Sequence, residues 1–405
     1  MSELIQNQPV EPQELKLSSK QELFLDMALQ GKNIFLSGKA GTGKSTVTKL
    51  AIEKLQKDGR KVVAIAPTGI AANNVGGQTI HSLFNIPPFG VMDFESCNFV
   101  RSEKRVLFDA IDTIFIDEVS MLRPDVLDAI HWTLRKNGCK GLSQKQVIFV
   151  GDLKQLPPIL NDTTKARLYE SYKGHTFSDA LIFEKLTPEI IELDEILRQS
   201  DNDFINALNL CREGIKTEYF RQFVADAPNT GVILAPHNAT VQAYNKASLA
   251  ALPSKQLVFH AKIEGKLKAD DFNLEAIVEV KDGAKVMYLC NSKDAPLFNG
   301  CLGDFVVKDD LNFIRVGEVE YPLEPVKFTK KEYVFNKTLD KLELQEVGSI
   351  EQIPIKLAYA MSIHKSQGLT FDEVTVDLKK PCFQAGQMYV ALSRVRKPEG
   401  LRILI

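Results

Sequence analysis

Residues Gly38 to Ser45 read GKAGTGKS, the spacing G-x-x-x-x-G-K-[ST], set between an apolar run NIFLS (33–37) and a helix-like stretch from Lys44 to Lys57. No other feature limits the fold as much. A strand that runs through a glycine turn straight into a helix belongs to a parallel sheet, because the helix carries the chain back for the next strand. Gly38, Gly41 and Gly43 let backbone N–H groups close around phosphate oxygens at the positive end of the helix. Lys44 reaches the β- and γ-phosphates, Ser45 offers a hydroxyl to magnesium, and Ala40, Thr42 and Thr46 complete a loop around the nucleotide. The alternative is a tight glycine turn that only caps a helix.

The flanking sequence supports the sheet. Runs KVVAIA (61–66), TIFID (113–117) and VIFVGD (147–152) read as further strands. Pro124 to Lys136 reads as a helix with Val126, Leu127, Ile130 and Leu134 on one face, and Pro124 suits its first turn. A second α/β pattern follows: GVILAP (231–236), a helix from Ala239 to about Ala250, then IPIKLAYAMS (353–362), EVTVDL (373–378), a helix from Met388 to Arg394, and LRILI (401–405). Between its halves, 255–350 is rich in short strands and turns such as Asn299-Gly300, the pattern of a small inserted β-barrel. The expected organisation is α/β: a flexible tail over 1–16, a first P-loop lobe over 17–180, and a second α/β lobe over 181–254 and 351–405.

At 405 residues the chain exceeds the roughly 250–300 residues at which single cores stop growing, so two or three packed units are expected. A net charge of −2 withholds the global basic character of many nucleic-acid binders, and any such track must be local. Cys97, Cys139, Cys211, Cys290, Cys301 and Cys382 are widely spaced, without a C-x-x-C pair, which argues against zinc and a disulfide framework. The opening MSELIQNQPVEPQEL lacks an apolar targeting core, and no apolar run of membrane-spanning length occurs. A cytoplasmic protein without a membrane partner is expected.

IFIDEVSM (114–121) is an apolar strand ending in two carboxylates. Asp117 can hold magnesium, and Glu118 can orient and deprotonate an attacking water. A solvated loop would show the same pair. GDLKQLPP (151–158) offers Gln155, a neutral amide able to sense the γ-phosphate. In the second pattern, SIHKSQGLTFDEV (362–374) and QMYVALSRVR (387–396) are polar segments, and Arg394 could reach across a cleft between lobes as an arginine finger. Alone it would read as a surface arginine.

Taken in order, these segments resemble superfamily 1, group B helicases, and specifically the PIF (petite-integration-frequency) DNA helicase family, from Leu17 to Ile405. LSSKQ (17–21) resembles the adenine-reading Q motif, with Gln21 as base contact. APTGIAA (66–72) and GGQTIHSLF (76–84) resemble nucleic-acid motifs, and ILRQSD (196–201) matches the motif supplying another arginine finger, Arg198. The resemblance implies ATP and Mg2+ as cofactors, and 5′-to-3′ movement on single-stranded DNA with separation of duplex at junctions and of guanine quadruplexes. It also implies a monomeric, nucleoid-associated, compact core of prokaryotic or phage type. Thr68, His81, Ser362, His364 and Lys365 would contact the single strand, both lobes would be RecA-like P-loop NTPase lobes, and the inserted barrel would be Src-homology-3-like. Rivals are a P-loop kinase acting on a small acceptor and a nucleotide-gated binding protein without turnover.

The stretch 86–106 is too long for an ordinary connection, and Phe89, Phe94 and Phe99 are apolar groups that a solvated loop would not need. They suit a wedge that separates strands. Anchoring the loop to the first lobe is the plainer alternative for each ring.

Overall fold

A computed structural model describes residues 17–405, apart from 88–89, 196–200, 266, 273 and 293–294. The N-terminal tail, Phe89 and Arg198 therefore lie outside the described residues. The first lobe is a six-stranded parallel sheet of β1 (Ile34–Gly38), β2 (Val62–Ala66), β3 (Gln78–Thr79), β4 (Thr113–Ile116), β5 (Gln146–Gly151) and β6 (Glu189–Leu193), in the order β3-β2-β4-β5-β1-β6. Its four central strands, β2, β4, β5 and β1, read as near-continuous apolar runs because helices cover both faces. Ile34, Leu36, Phe115 and Ile148 pack with Val47, Ala51 and Leu55 of the helix Lys44–Lys57. Phe35, Ile114, Ile116 and Phe149 point the other way, onto Leu127, Ile130 and Leu134 of the helix Pro124–Lys136. The expected boundary at 180 is too early, since β6 pairs with β1 along its whole length. EIIEL has no flanking motif, and its outer side is exposed, so its membership in this sheet is set by tertiary pairing alone.

The second sheet has four parallel strands in the order Ala360–Ser362, Val232–Ala235, Val374–Asp377, Leu401–Leu404. IPIKLAYAMS, one run in the sequence, is divided between two sheets. Ile355–Leu357 pairs antiparallel with Lys285–Tyr288, and Ala360–Ser362 pairs with Val232–Ala235. The β-rich insertion thus extends past 350. It holds a five-stranded antiparallel sheet around Val286, Phe305, Ile314 and Ile355.

From that insertion a long hairpin, Val326–Asn336 with Lys341–Gln352, reaches back to the first lobe. The Ala64 N–H donates to the Tyr333 hydroxyl at 3.2 Å, the Tyr333 N–H donates to Gln78 Oε1 at 3.0 Å, and Lys61 pairs with Asp340 at 2.9 Å. Nothing in the local sequence announces these contacts. Among the described residues no helix is long and apolar enough to cross a membrane.

Candidate active site

Ligands of open α/β sheets bind at the carboxyl ends of the strands, and three neighbouring strands of the first lobe, β4, β5 and β1, end around one cleft. Its volume is about 370 Å³, and it is lined by Ala40 to Thr46, Asp117, Glu118, Gly151 and Gln155 from the first lobe and by Gly368 and Arg394 from the second. Gly41 and Gly43 adopt φ of +83° and +80°, the left-handed backbone that glycine takes without strain. Gly38 serves a different purpose: a Cβ there would lie 2.9 Å from the Leu193 carbonyl oxygen of β6. Lys44 starts the helix, and its ammonium donates to the carbonyls of Gly38 at 2.7 Å and Lys39 at 2.9 Å, which holds a positive charge inside the loop.

Gln21 is buried against this loop. Its Nε2 donates to the Thr42 carbonyl at 3.3 Å while its Oε1 accepts the Ser18 N–H at 3.0 Å, so it ties the cap of the first helix to the phosphate loop.

The two carboxylates follow β4 directly. Burial, and then the charge of Glu118, push Asp117 up to about 7. Burial also raises Glu118, opposed by the positive charges of Lys44 and Arg394 and by a hydrogen bond from Gln367. For Asp117, Lys44 and Lys49 oppose this rise without cancelling it, so a further positive charge would stabilise the ionised carboxylate. A hydroxyl and a carboxylate, Ser45 and Asp117, are the hard oxygen donors magnesium prefers, and magnesium keeps most of its shell for water and phosphate, so two protein donors suffice. Glu118 itself has φ +51° and ψ +44°, a left-handed conformation unusual for a residue with a Cβ.

The second lobe completes the cleft. Gln367 Nε2 donates to Glu118 Oε2 at 3.0 Å and to Gln155 Oε1 at 3.3 Å. The Ala40 N–H donates to the Tyr389 hydroxyl at 3.0 Å. Arg394 is 2% exposed. Its guanidinium donates to the carbonyls of Val390 at 2.8 Å and Leu369 at 3.2 Å and to Ser393 Oγ at 2.8 Å, so it lines the cleft while anchored in its own lobe. Behind Gln155, Arg212 grips the buried Asp152 with Nη2 at 3.0 Å and Nε at 3.3 Å. Gln367, Tyr389 and Arg212 escape sequence reasoning. The first two sit inside segments singled out for other residues, and Arg212 ends a helix with no motif around it.

The strand-contact candidates are less uniform. Thr68 caps the helix Gly69–Val75, accepting the Ala71 N–H at 3.3 Å. His81 bonds the Ile86 carbonyl through Nδ1 at 3.2 Å, and burial lowers its pKa, which favours a neutral ring. Ser362 is buried and its hydroxyl accepts the Lys365 N–H at 3.4 Å, so its side chain does not face outward. Lys365 is exposed, and His364 is held against Phe383 and Gln384. Phe94 and Phe99 are 44% and 73% exposed, with the Lys136 ammonium over both rings at 5.2 and 5.6 Å.

Comparison with known proteins gives a consistent result. The PIF1-like helicase family profile matches residues 16–219. The ATP-dependent DNA helicase Pif1 of Campylobacter jejuni is 28% identical over 94% of this chain and 90% of its own length. The ATP-dependent DNA helicase PIF1 of Danio rerio is 32% identical over 96% of this chain, which spans 61% of that relative. Unliganded Pif1 from Bacteroides superposes with a TM-score of 0.84 at 32% identity, covering 96% of this chain and 92% of that one, and the same protein bound to ssDNA gives 0.69 at the same coverage. The α/β architecture with its parallel-sheet core is thus that of the Pif1 structures.

Proposed function

Because the chain belongs to the PIF1-like helicase family, we propose that it is an ATP-driven motor that separates DNA strands, moving 5′ to 3′ along a single strand. The observation that carries this reading is the side chain of Gln367, which joins Glu118 and Gln155 of one lobe from the other. A nucleotide site assembled from two lobes can convert ATP binding into relative movement of those lobes. A P-loop kinase needs only one lobe and a lid, and would leave Gln367, Tyr389 and Arg394 without purpose.

In this mechanism Lys44 leaves its loop carbonyls for the β- and γ-phosphates. Ser45 and Asp117 would hold Mg2+, which supplies positive charge to the phosphate oxygens. Glu118, once ionised, takes the proton of the attacking water, and Gln155 reads the γ-phosphate. Arg394, with Arg198 as the family's second finger, stabilises the charge that develops on transfer. Tyr389 couples the phosphate loop to the helix Gln387–Leu392 that precedes Arg394. Thr68 and Lys365 serve the single strand, and phosphate contacts of this kind position it without reading sequence. Forked junctions, guanine quadruplexes and a monomeric motor acting at the nucleoid complete the reading.

A strand-displacement assay on 5′-tailed and 3′-tailed duplexes tests motor, substrate and polarity together. ATP-dependent separation of the 5′-tailed duplex alone, abolished in Lys44→Ala while single-strand binding persists, is the expected result. Separation of the 3′-tailed duplex would reverse the polarity. DNA binding without displacement of either substrate would leave a gated binding protein.

A further inference from the structure

Three adjacent strands of the second sheet end at one surface. Val232–Ala235 leads to His237, Ala360–Ser362 leads to His364, and Val374–Asp377 leads into a loop carrying Lys379, Lys380 and Phe383. The Phe383 ring lies 5.1 Å from that of His237, and 6.0 Å from that of His364 with only 22° between the planes. Both imidazoles are fixed by the loop itself. His237 Nε2 meets the Pro381 carbonyl at 3.1 Å, and His364 Nε2 meets Gln384 Oε1 at 3.0 Å. A carbonyl can only accept, so each Nε2 carries the hydrogen. The Gln384 amide faces this way because its Nε2 donates to the carbonyls of Pro157 and Pro158, at 3.0 and 3.2 Å, in the first lobe.

The result is a phenylalanine ring that is 58% exposed yet held rigidly between two imidazoles. A core residue would be covered, and a solvated loop would not set two imidazoles and two oriented hydrogen bonds around an exposed ring. Lys365, next to His364 in the chain, and Lys379 and Lys380, on the same loop as Phe383, are all exposed, in a chain whose net charge is −2. One flat apolar face amid ammonium groups is what a nucleobase with its phosphates requires. A protein partner would call for a broader apolar patch.

We propose that Phe383, flanked by His237 and His364, is a stacking site for one base of a bound single strand. This rests on the DNA-motor reading above and adds a residue to it. The stacking loop is also wired to the nucleotide site. Gln387 Oε1 accepts the Phe383 N–H at 3.0 Å, and Gly386, at φ +79°, lies so close to the first lobe that a Cβ would stand 2.6 Å from the Gln155 carbonyl oxygen. A base seated on Phe383 therefore bears on the loop that touches Gln155.

The test compares two oligonucleotides of equal length and charge, one of thymidine and one of abasic phosphodiester units, binding to the full chain by fluorescence anisotropy. The parent should prefer the base-bearing strand. Phe383→Ala should lose roughly 5- to 100-fold on that strand, the worth of one stacked base, and nothing on the abasic strand. Phe383→Tyr, which keeps the ring, should bind both strands as the parent does. Equal weakening on both strands, as from a misplaced loop, would overturn the proposal, and so would an unchanged Phe383→Ala. A parent that binds neither strand would instead remove the DNA-motor reading itself.

Discussion

Gln367 Nε2 donates to Glu118 Oε2 at 3.0 Å, joining a residue of the second lobe to the carboxylate proposed as the general base in the first. The same nitrogen reaches Gln155 Oε1 at 3.3 Å, while Gln367 Oε1 is buried and has no hydrogen-bond partner among the described residues. A buried acceptor with nothing to accept is costly, and its place beside the general base suits a water hydrogen.

Replacing Gln367 by alanine should lower kcat roughly 10- to 100-fold, from a lost bond to a charged group worth ~1.5–3 kcal/mol, with KM for ATP nearly unchanged. The bond from Gln367 lowers the Glu118 pKa, as do Lys44 and Arg394, against the effect of burial and of Asp152. Its loss raises that pKa further, so the acid limb of the kcat–pH profile should move to higher pH. A profile that kept its limb would place Gln367 outside the water-activating set.

Asp117 gives a pH dependence of stability. Its pKa rises from 3.8 to about 7 on folding, so its contribution is fully present below pH 3.8 and lost as pH rises through 7. The nucleotide-free protein should melt at a lower temperature at pH 8 than at pH 6. Asp117→Asn should raise Tm at pH 8, flatten this dependence and abolish Mg2+-dependent hydrolysis. Thermal melts across this range, with and without ADP and Mg2+, provide the check.

Arg394→Ala should reduce turnover by roughly 10³, the worth of an arginine finger. Its buried guanidinium also donates to the carbonyls of Val390 and Leu369, and losing such bonds to a charged group costs about 1.5–3 kcal/mol each, so Tm should fall as well. Single-turnover hydrolysis measured well below the variant's Tm separates the two effects. Arg198→Ala should share the loss of turnover.

For the segment 86–106, replacing the whole loop would be uninformative. The Met92 N–H donates to the buried Asp125 at 2.7 Å, and Cys97 is packed in the first-lobe core, so excision would damage the lobe. Phe94→Ala with Phe99→Ala removes only exposed rings. We expect ATPase stimulated by single-stranded DNA to persist while duplex separation falls, and equal loss of both would make the rings scaffold.

Much of this was readable beforehand, for identifiable reasons. GKAGTGKS and IFIDE are local: each places its chemistry at the end of one buried strand, and an unbroken apolar run marks such a strand. The opposite holds for β6, whose exposed residues alternate with Ile191 and Leu193, and which joins the first sheet only through β1. Gln367 and Tyr389 act across more than two hundred residues of sequence, and Arg212 reaches Asp152 from a helix that carries no motif. Tyr333, at the far end of the inserted hairpin, bonds Ala64 in the first lobe for the same non-local reason. Ser362 shows the converse error, since a polar residue in a functional segment turned inward to hold a turn.

Glu118 holds its carboxylate in place by a backbone turned to φ +51°, where asparagine or glycine would rest more easily. The residue proposed to activate water is therefore also one that the fold alone would prefer to exchange. A library of this chain selected only for resistance to heat should drift at position 118 toward such residues and yield well-folded proteins that no longer move. Only a screen that demands work from each survivor will keep the glutamate.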